Sequence, residues 1–280
     1  MTASHATRPN GGAGCPEGSR GPRRARPTLV APGRLRYPPG VRVAVLSDIH
    51  ANLAALDAVL ATVPSVDAVW QLGDVVGSGP DPDEVVARLR DLGVLGVRGN
   101  HDAAAVGGPE IESFNVDARR AMEWTRTTIA EGTRGWLATL PERLELEGFT
   151  LVHGSPRDPT WEYVTTTPVA RAGIAAMTTT CGLNGHTHVP VAYLEEDGRL
   201  ETMSPGAGSR LVFEGRRALL NPGSVGQPRD GIPTAAWLLL DTGAGAATWQ
   251  RTAYDISVVQ DRMASAGLPE RLIARLTHGL

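Results

Sequence analysis

Lysine is absent from the 280 residues: all 27 basic side chains are arginine. With so much alanine, glycine and arginine, this reads as a compositional bias of the source and carries no functional signal. Cysteine is almost absent. Cys15 and Cys181 are the only two, which excludes a disulfide scaffold and a thiolate metal cluster and makes a reducing, cytoplasmic location the expected one. No apolar run approaches the roughly 18 residues a membrane span needs, so no membrane partner is expected. The opening residues lack the apolar segment of a signal peptide. What is present, 41% hydrophobic and 20% charged residues, suffices to bury a sizeable core.

The net charge of −3 hides an asymmetry. Residues 1–40 carry seven arginines and one acid, Glu17, and the remainder carries 20 arginines against 29 acids, a balance of −9. An acidic body makes a phosphate-backbone binder an unlikely class and suits a protein that gathers carboxylates around cations. The first 40 residues are rich in Pro, Gly and Arg and show no apolar periodicity. They are therefore expected to be a disordered tail, with the folded domain occupying 41–280.

From Val41 the chain alternates. Val41–Leu46 reads as a buried strand, Leu53 to Leu60 as a helix, Asp67–Leu72 as a strand, Pro82–Leu92 as a helix and Val94–Val97 as a third strand. Asn115 is placed to cap a helix running to about Glu131, and a shorter helix stops at Pro141. A hairpin around Gly148 follows, then strand-like segments at 181–185, 190–195, 217–220, 235–240 and 246–251. Two helices, near 255–265 and 269–276, close the chain. The alternation predicts a layered α/β fold of two facing sheets with helices outside.

Polar residues gather where those strands end. Five of the seven histidines follow a strand, in Asp48-x-His50, Gly99-Asn100-His101-Asp102, His153-Gly154 and Gly185-His186-Thr187-His188, and Gly73-Asp74 ends another strand. Loops at the carboxyl ends of strands are where α/β folds collect ligands. Residues spaced by one on an extended segment point the same way, so Asp48 with His50, and His186 with His188, each offer a two-toothed clamp. Imidazole nitrogens with carboxylate oxygens suit zinc, manganese, iron or nickel. About seven such side chains are too many for one ion and fit two ions sharing one carboxylate.

This series of motifs resembles the calcineurin-like metallophosphoesterases over residues 41–251. The resemblance implies an αββα sandwich of two facing mixed sheets and a binuclear metal centre. Asp48, His50 and His188 would hold the first ion, Asn100, His153 and His186 the second, and Asp74 would bridge both. The implied cofactor is a pair of divalent transition-metal ions, manganese first and iron, nickel or zinc served by the same donors. The implied activity is hydrolysis of a small phosphoester, nucleotides included, by a metal-bridging hydroxide. His101 would face the substrate as a general acid or oxyanion partner, with Asp102 either holding its ring or capping a helix or turn. Protein phosphatases and dinucleotide-cleaving relatives of the family carry Gly-Asp-x-Val-Asp-Arg-Gly. Here the segment reads Gly73-Asp-Val-Val-Gly-Ser-Gly-Pro80, closer to the small bacterial phosphodiesterases and phosphatases. A non-catalytic scaffold would have lost ligands, and none is lost. The stretches 153–163 and 221–231 are expected on the substrate side, with Arg157, Tyr163 and Arg229 as candidate contacts. The alternative is that the arginines pair with Asp158, Asp230 or other acids and fix loops. Trp70, Trp237 and Cys181 are expected in the core.

Overall fold

The computed structural model describes residues 1–2, 28–31, 34–36, 40–146, 148–213 and 215–280. In chain order the strands of the first half are β1 (Thr28–Ala31), β2 (Arg34–Arg36), β3 (Arg42–Leu46), β4 (Ala68–Gln71), β5 (Leu95–Gly96), β6 (Arg143–Leu146) and β7 (Phe149–Val152). Those of the second half are β8 (Cys181–Leu183), β9 (Val191–Glu196), β10 (Arg199–Met203), β11 (Arg210–Val212), β12 (Arg217–Asn221), β13 (Ala235–Asp241) and β14 (Ala246–Thr252). The helices are α1 (Leu53–Thr62), α2 (Pro82–Asp91), α3 (Asn100–Ala105), α4 (Val116–Thr128), α5 (Glu131–Thr139), α6 (Thr167–Ala175), α7 (Ile256–Ser265) and α8 (Glu270–Arg275).

These strands make two mixed sheets. One has six strands in the order β11-β14-β13-β3-β4-β5, and the other has eight in the order β1-β2-β6-β7-β8-β12-β9-β10. β3, β4 and β5 are parallel, as are β7 and β8. Alternate side chains of a strand face opposite ways. On β3, Val43 and Val45 enter the core between the sheets, where they meet Trp70, Leu151, Leu183, Leu220, Leu238 and Trp249. Ala44 and Leu46 face the other way, onto α1 and α2 through Leu56, Val59, Val85 and Leu89. A strand covered on both faces is apolar throughout, which is why β3 reads as an unbroken hydrophobic run. On the far side, Ala170 and Ile174 of α6 cover Tyr193 and Leu219 of the eight-stranded sheet. Helix, sheet, sheet and helix are thus stacked in the expected order.

The helices start where their caps allow. The Asn115 side chain accepts from the Ala118 N–H at the head of α4. Pro82 opens α2, where its missing N–H costs nothing. Among the described residues no helix is long and apolar enough to cross a membrane.

Two strands fall inside the stretch expected to be disordered. β1 pairs antiparallel with β2, and β2 adds in parallel to β6. Pairing at a sheet edge draws on main-chain N–H and C=O groups, which almost every residue carries, so it needs no apolar period. The rest of that arginine-rich stretch, residues 3–27, lies outside the described residues.

Candidate metal centre

All five loops open from the carboxyl ends of strands, four of them interior to their sheets and one, β5, at an edge. Asp48 and His50 follow β3, Asp74 follows β4, and Asn100 to Asp102 form the first turn of α3 after β5. His153 follows β7, and His186 and His188 follow β8. The first three loops belong to the six-stranded sheet and the last two to the eight-stranded sheet. Main-chain bonds stitch the loops together: Asp48 N–H to Gly73 O (3.1 Å), His50 N–H to Asp74 O (2.9 Å) and Gly185 N–H to His153 O (2.9 Å). The approach is close enough to demand glycine. A Cβ on Gly99 would stand 2.1 Å from Asp74 Oδ1, and one on Gly185 would stand 2.0 Å from Ser47 Oγ and 2.8 Å from Asp48 Oδ2.

The side chains converge as two groups of ligand atoms. Asp48, His50, Asp74 and His188 form one, and Asp74, His153 and His186 the other, with the atoms of each group within 4.8 Å of one another. Asp74 belongs to both. Its Oδ2 lies 3.6 Å from His50 Nε2 and 3.3 Å from His153 Nε2. Asp48 Oδ1 is 3.2 Å from His188 Nε2. Asn100 Oδ1 joins the second group, 3.1 Å from His153 Nε2. All seven side chains are buried.

The donor chemistry fits cations. His153 Nδ1–H donates to Leu72 O at 2.8 Å, His188 Nδ1–H to Gln227 O at 2.5 Å and His186 Nε2–H to Trp161 O at 3.2 Å. A carbonyl can only accept, so each contact fixes the proton on the outer nitrogen and turns the inner lone pair toward the centre. His153 Nε2 and His186 Nδ1 then face each other at 3.0 Å, lone pair to lone pair; His50 Nε2 lies 3.1 Å from His188 Nε2 and, with His50 Nδ1 unpartnered, can donate its proton there. Facing lone pairs repel unless a positive charge stands among them. Asp74 pulls His153 up to about 9, even though burial works the other way. Burial likewise opposes ionisation of Asp48 and Asp74, but His188 and His153 respectively hold each carboxyl below its ordinary range. Burial pushes His50 and His188 down, and His186 down to about 3.

Five of these residues carry backbone strain. Asp48, His50, Asp74, His186 and His188 have φ between 48° and 68°, a left-handed region that costs a residue with a side chain about 1–3 kcal/mol. The surrounding bonds hold them there. Ser224 Oγ donates to Asp48 O at 2.8 Å, Gly226 N–H donates to the same oxygen at 3.0 Å, and His186 N–H donates to Asp48 Oδ2 at 3.1 Å.

The remaining sequence candidates divide. His101 is buried beside His50, with the rings edge to face and their centroids 4.8 Å apart. Phe114 stacks on its other side at 4.5 Å, and burial lowers it to about 4. Its Nδ1 has no hydrogen-bond partner, so Asp102 does not hold the ring. Asp102 instead accepts from Gly99 N–H at 3.0 Å and Val76 N–H at 3.1 Å, capping α3; burial and then Asp74 raise it to about 7. Arg157 is ion-paired with Glu162. Arg229 is not taken by Asp230, which pairs with Arg251, and its charge reaches His101, His188 and Tyr163. Tyr163, 49% exposed, stacks on His186 with centroids 3.7 Å apart.

Residues 221–227 brace the loops that carry the candidate ligands. Asn221 Nδ2 donates to Gly185 O at 2.7 Å, holding the His186–His188 loop, and Ser224 and Gly226 brace Asp48 from behind. Sequence reasoning also missed Phe114 and the carbonyls of Leu72, Trp161 and Gln227. Trp70, Trp237 and Cys181 are buried in the core. Burial pushes the Cys181 thiol far up, so it is no nucleophile.

Residues 41–243 match the calcineurin-like phosphoesterase superfamily domain. The protein MJ0912 of Methanocaldococcus jannaschii is 35% identical over 247 residues, covering 85% of this chain and 98% of the relative. A metallophosphoesterase from Sphaerobacter thermophilus has a crystal structure that superposes with a TM-score of 0.79 at 38% identity, over 86% of this chain and all of that one. The fold recurs in the protein PH1004 of Pyrococcus horikoshii, with a TM-score of 0.70 at 23% identity over 85% and 98% of the two chains.

Proposed function

The chain belongs to the calcineurin-like phosphoesterase superfamily, and on that premise we propose that it hydrolyses phosphoester bonds with two divalent transition-metal ions. The observation that carries this reading is that two separate groups of ligand atoms meet at one carboxylate, Asp74. Asp48, His50 and His188 would hold one ion, Asn100, His153 and His186 the other, and Asp74 both. The same donors serve manganese, iron, nickel and zinc, with manganese the first choice. When bound, such a pair polarises a phosphoryl oxygen and lowers the pKa of a water.

The chain's own groups do the rest. Carbonyls of Leu72, Gln227 and Trp161 fix three ligand rings before any substrate arrives, so no reorganisation is needed during the reaction. His101 is pinned between His50 and Phe114 and serves at the leaving oxygen, donating a hydrogen bond or a proton. Arg229 places a cation where the equatorial phosphoryl oxygens gather charge. Tyr163, flat on His186 with its edge exposed, bounds the substrate side. The reading covers a small phosphomonoester or phosphodiester, nucleotides included.

Metal analysis after loading, followed by a screen of phosphomonoesters, aryl phosphodiesters, cyclic nucleotides and dinucleoside polyphosphates, tests it. Up to two ions per chain are expected. Asp74→Asn should impair both sites, whereas Asp48→Asn should weaken mainly one. A wild-type protein that never holds more than one ion, or that turns over none of these substrates, overturns the reading.

A further inference from the structure

This inference rests on the phosphoesterase reading and concerns what else its substrate carries. We propose that Arg229 and Arg275, joined through Gln227, form an anion subsite beside the metal centre that takes a second phosphate group of the same substrate.

Gln227 is buried, and its side-chain oxygen accepts from two cations: Arg229 Nη2 at 2.9 Å and Arg275 Nη1 at 3.4 Å. The main-chain oxygen of the same residue holds His188 Nδ1–H, and Arg229 N–H donates to His188 O at 3.4 Å. The pair is therefore built on the segment that orients a ligand histidine. Among the described residues neither guanidinium is paired with an Asp or Glu side chain. Elsewhere in the chain half-buried arginines sit on carboxylates: Arg251 on Asp230 and Arg143 on Glu145.

Two like charges sharing one neutral oxygen repel each other. Burial and the charges of Arg229 and Arg271 pull Arg275 down to about 10. The cluster concentrates positive charge, and among the described residues Arg229 Nη1 and Arg275 Nη2 are the terminal guanidinium donors left to meet an anion, the other Nη of each being spent on Gln227. Arg229 Nε is buried without a hydrogen-bond partner, while Arg275 Nε donates to Leu280 O and so fixes the plane of its fork. Planar guanidinium forks match phosphate oxygens two by two. The charge of Arg229 also acts on Tyr163 and His101. A substrate with one phosphoryl group at the metals can therefore extend a second toward Arg275. The substrate class that follows is a phosphoester with a further phosphate, such as a nucleoside diphosphate or bisphosphate.

The test compares AMP with ADP and adenosine 3′,5′-bisphosphate as substrates for the full-length, metal-loaded protein. In Arg275→Gln, KM for the doubly phosphorylated compounds should rise about tenfold or more relative to KM for AMP, as expected for a lost charge-assisted hydrogen bond. Arg275→Lys, which keeps the charge, should recover most of the loss and guards against a folding defect. Equal losses on AMP and ADP would make Arg275 a structural residue and overturn the proposal. Equilibrium dialysis against inorganic pyrophosphate, at matched metal content, reads the subsite without turnover. Weaker binding by Arg275→Gln than by wild type is expected, and equal binding overturns the proposal. If none of these nucleotides is hydrolysed, the wider substrate screen decides the phosphoesterase reading and the pyrophosphate difference still decides the subsite.

Discussion

Asp102 and His101 are neighbours in the chain, yet they do unrelated work. Both oxygens of Asp102 accept from buried main-chain N–H groups. Asp102→Ala leaves two donors without acceptors, at about 1–3 kcal/mol each, so the expected loss is in stability, read by chemical denaturation. His101→Ala should instead keep the fold and both metals and lower kcat about 10²–10⁴-fold. That loss should be largest for alkoxide leaving groups and smaller for nitrophenolate. Metal loss in His101→Ala would show that it is a ligand after all. At this scale the side chains that converge at the site were legible in the sequence, because Asp48, Asp74, His153 and His186 each sit in a short motif at a strand end. The carbonyls of Leu72, Trp161 and Gln227 were not, because a main-chain oxygen leaves no mark on residue identity. Asp102 stayed open between ring partner and cap for a related reason: proximity in sequence to His101 says nothing about where a first-turn carboxylate points, and here α3 claims it.

Among elements, legibility followed burial. β3, β4, β8, β12 and β13 are covered by neighbours and read as apolar runs. β10, with its Arg-Leu-Glu-Thr-Met sequence, is largely exposed and forms one edge of its sheet, with only Leu200 and Met203 packed against the core clusters, so no apolar run announced it. α3 failed the opposite way. All six of its residues are buried, and a helix buried all round shows no amphipathic stripe. α6 carries Thr167, Pro168, Val169 and Gly173, residues of low helix propensity that offset its alanines. β1 and β2 are backbone-paired edge strands as well, and they make a testable difference. Deleting residues 1–27 should leave the melting temperature near that of the full chain. Deleting residues 1–37 strips β1 and β2 and bares the β6 edge. Such an edge pairs with other chains, so a lower melting temperature and increased light scattering are expected. Identical behaviour of the two truncations would show that β1 and β2 contribute nothing.

For the whole molecule the decisive fact is which sheet supplies which ligand. Asp48, His50, Asp74 and Asn100 come from the six-stranded sheet, and His153, His186 and His188 from the eight-stranded one. Each ligand group draws on both. A ligand that binds only the native state stabilises it by about 2.7 kcal/mol at a hundred times its dissociation constant. Chelation should therefore lower the melting temperature, and Asp74→Asn should blunt that response; a chelator-independent transition would contradict the two-group arrangement. A bound ion would also act as a rivet. It would tie segments 138 residues apart, as His50 and His188 are, and so close a loop as a long-range disulfide does. Cohesion of the two sheets at their ligand-bearing ends then becomes a matter of metal supply. In a metal-starved cell the strands would stay paired while the five loops loosened. Amide exchange would rise first at Asp48 and His186 and last in the β3–β13 core, marking a protein that comes undone from its working end.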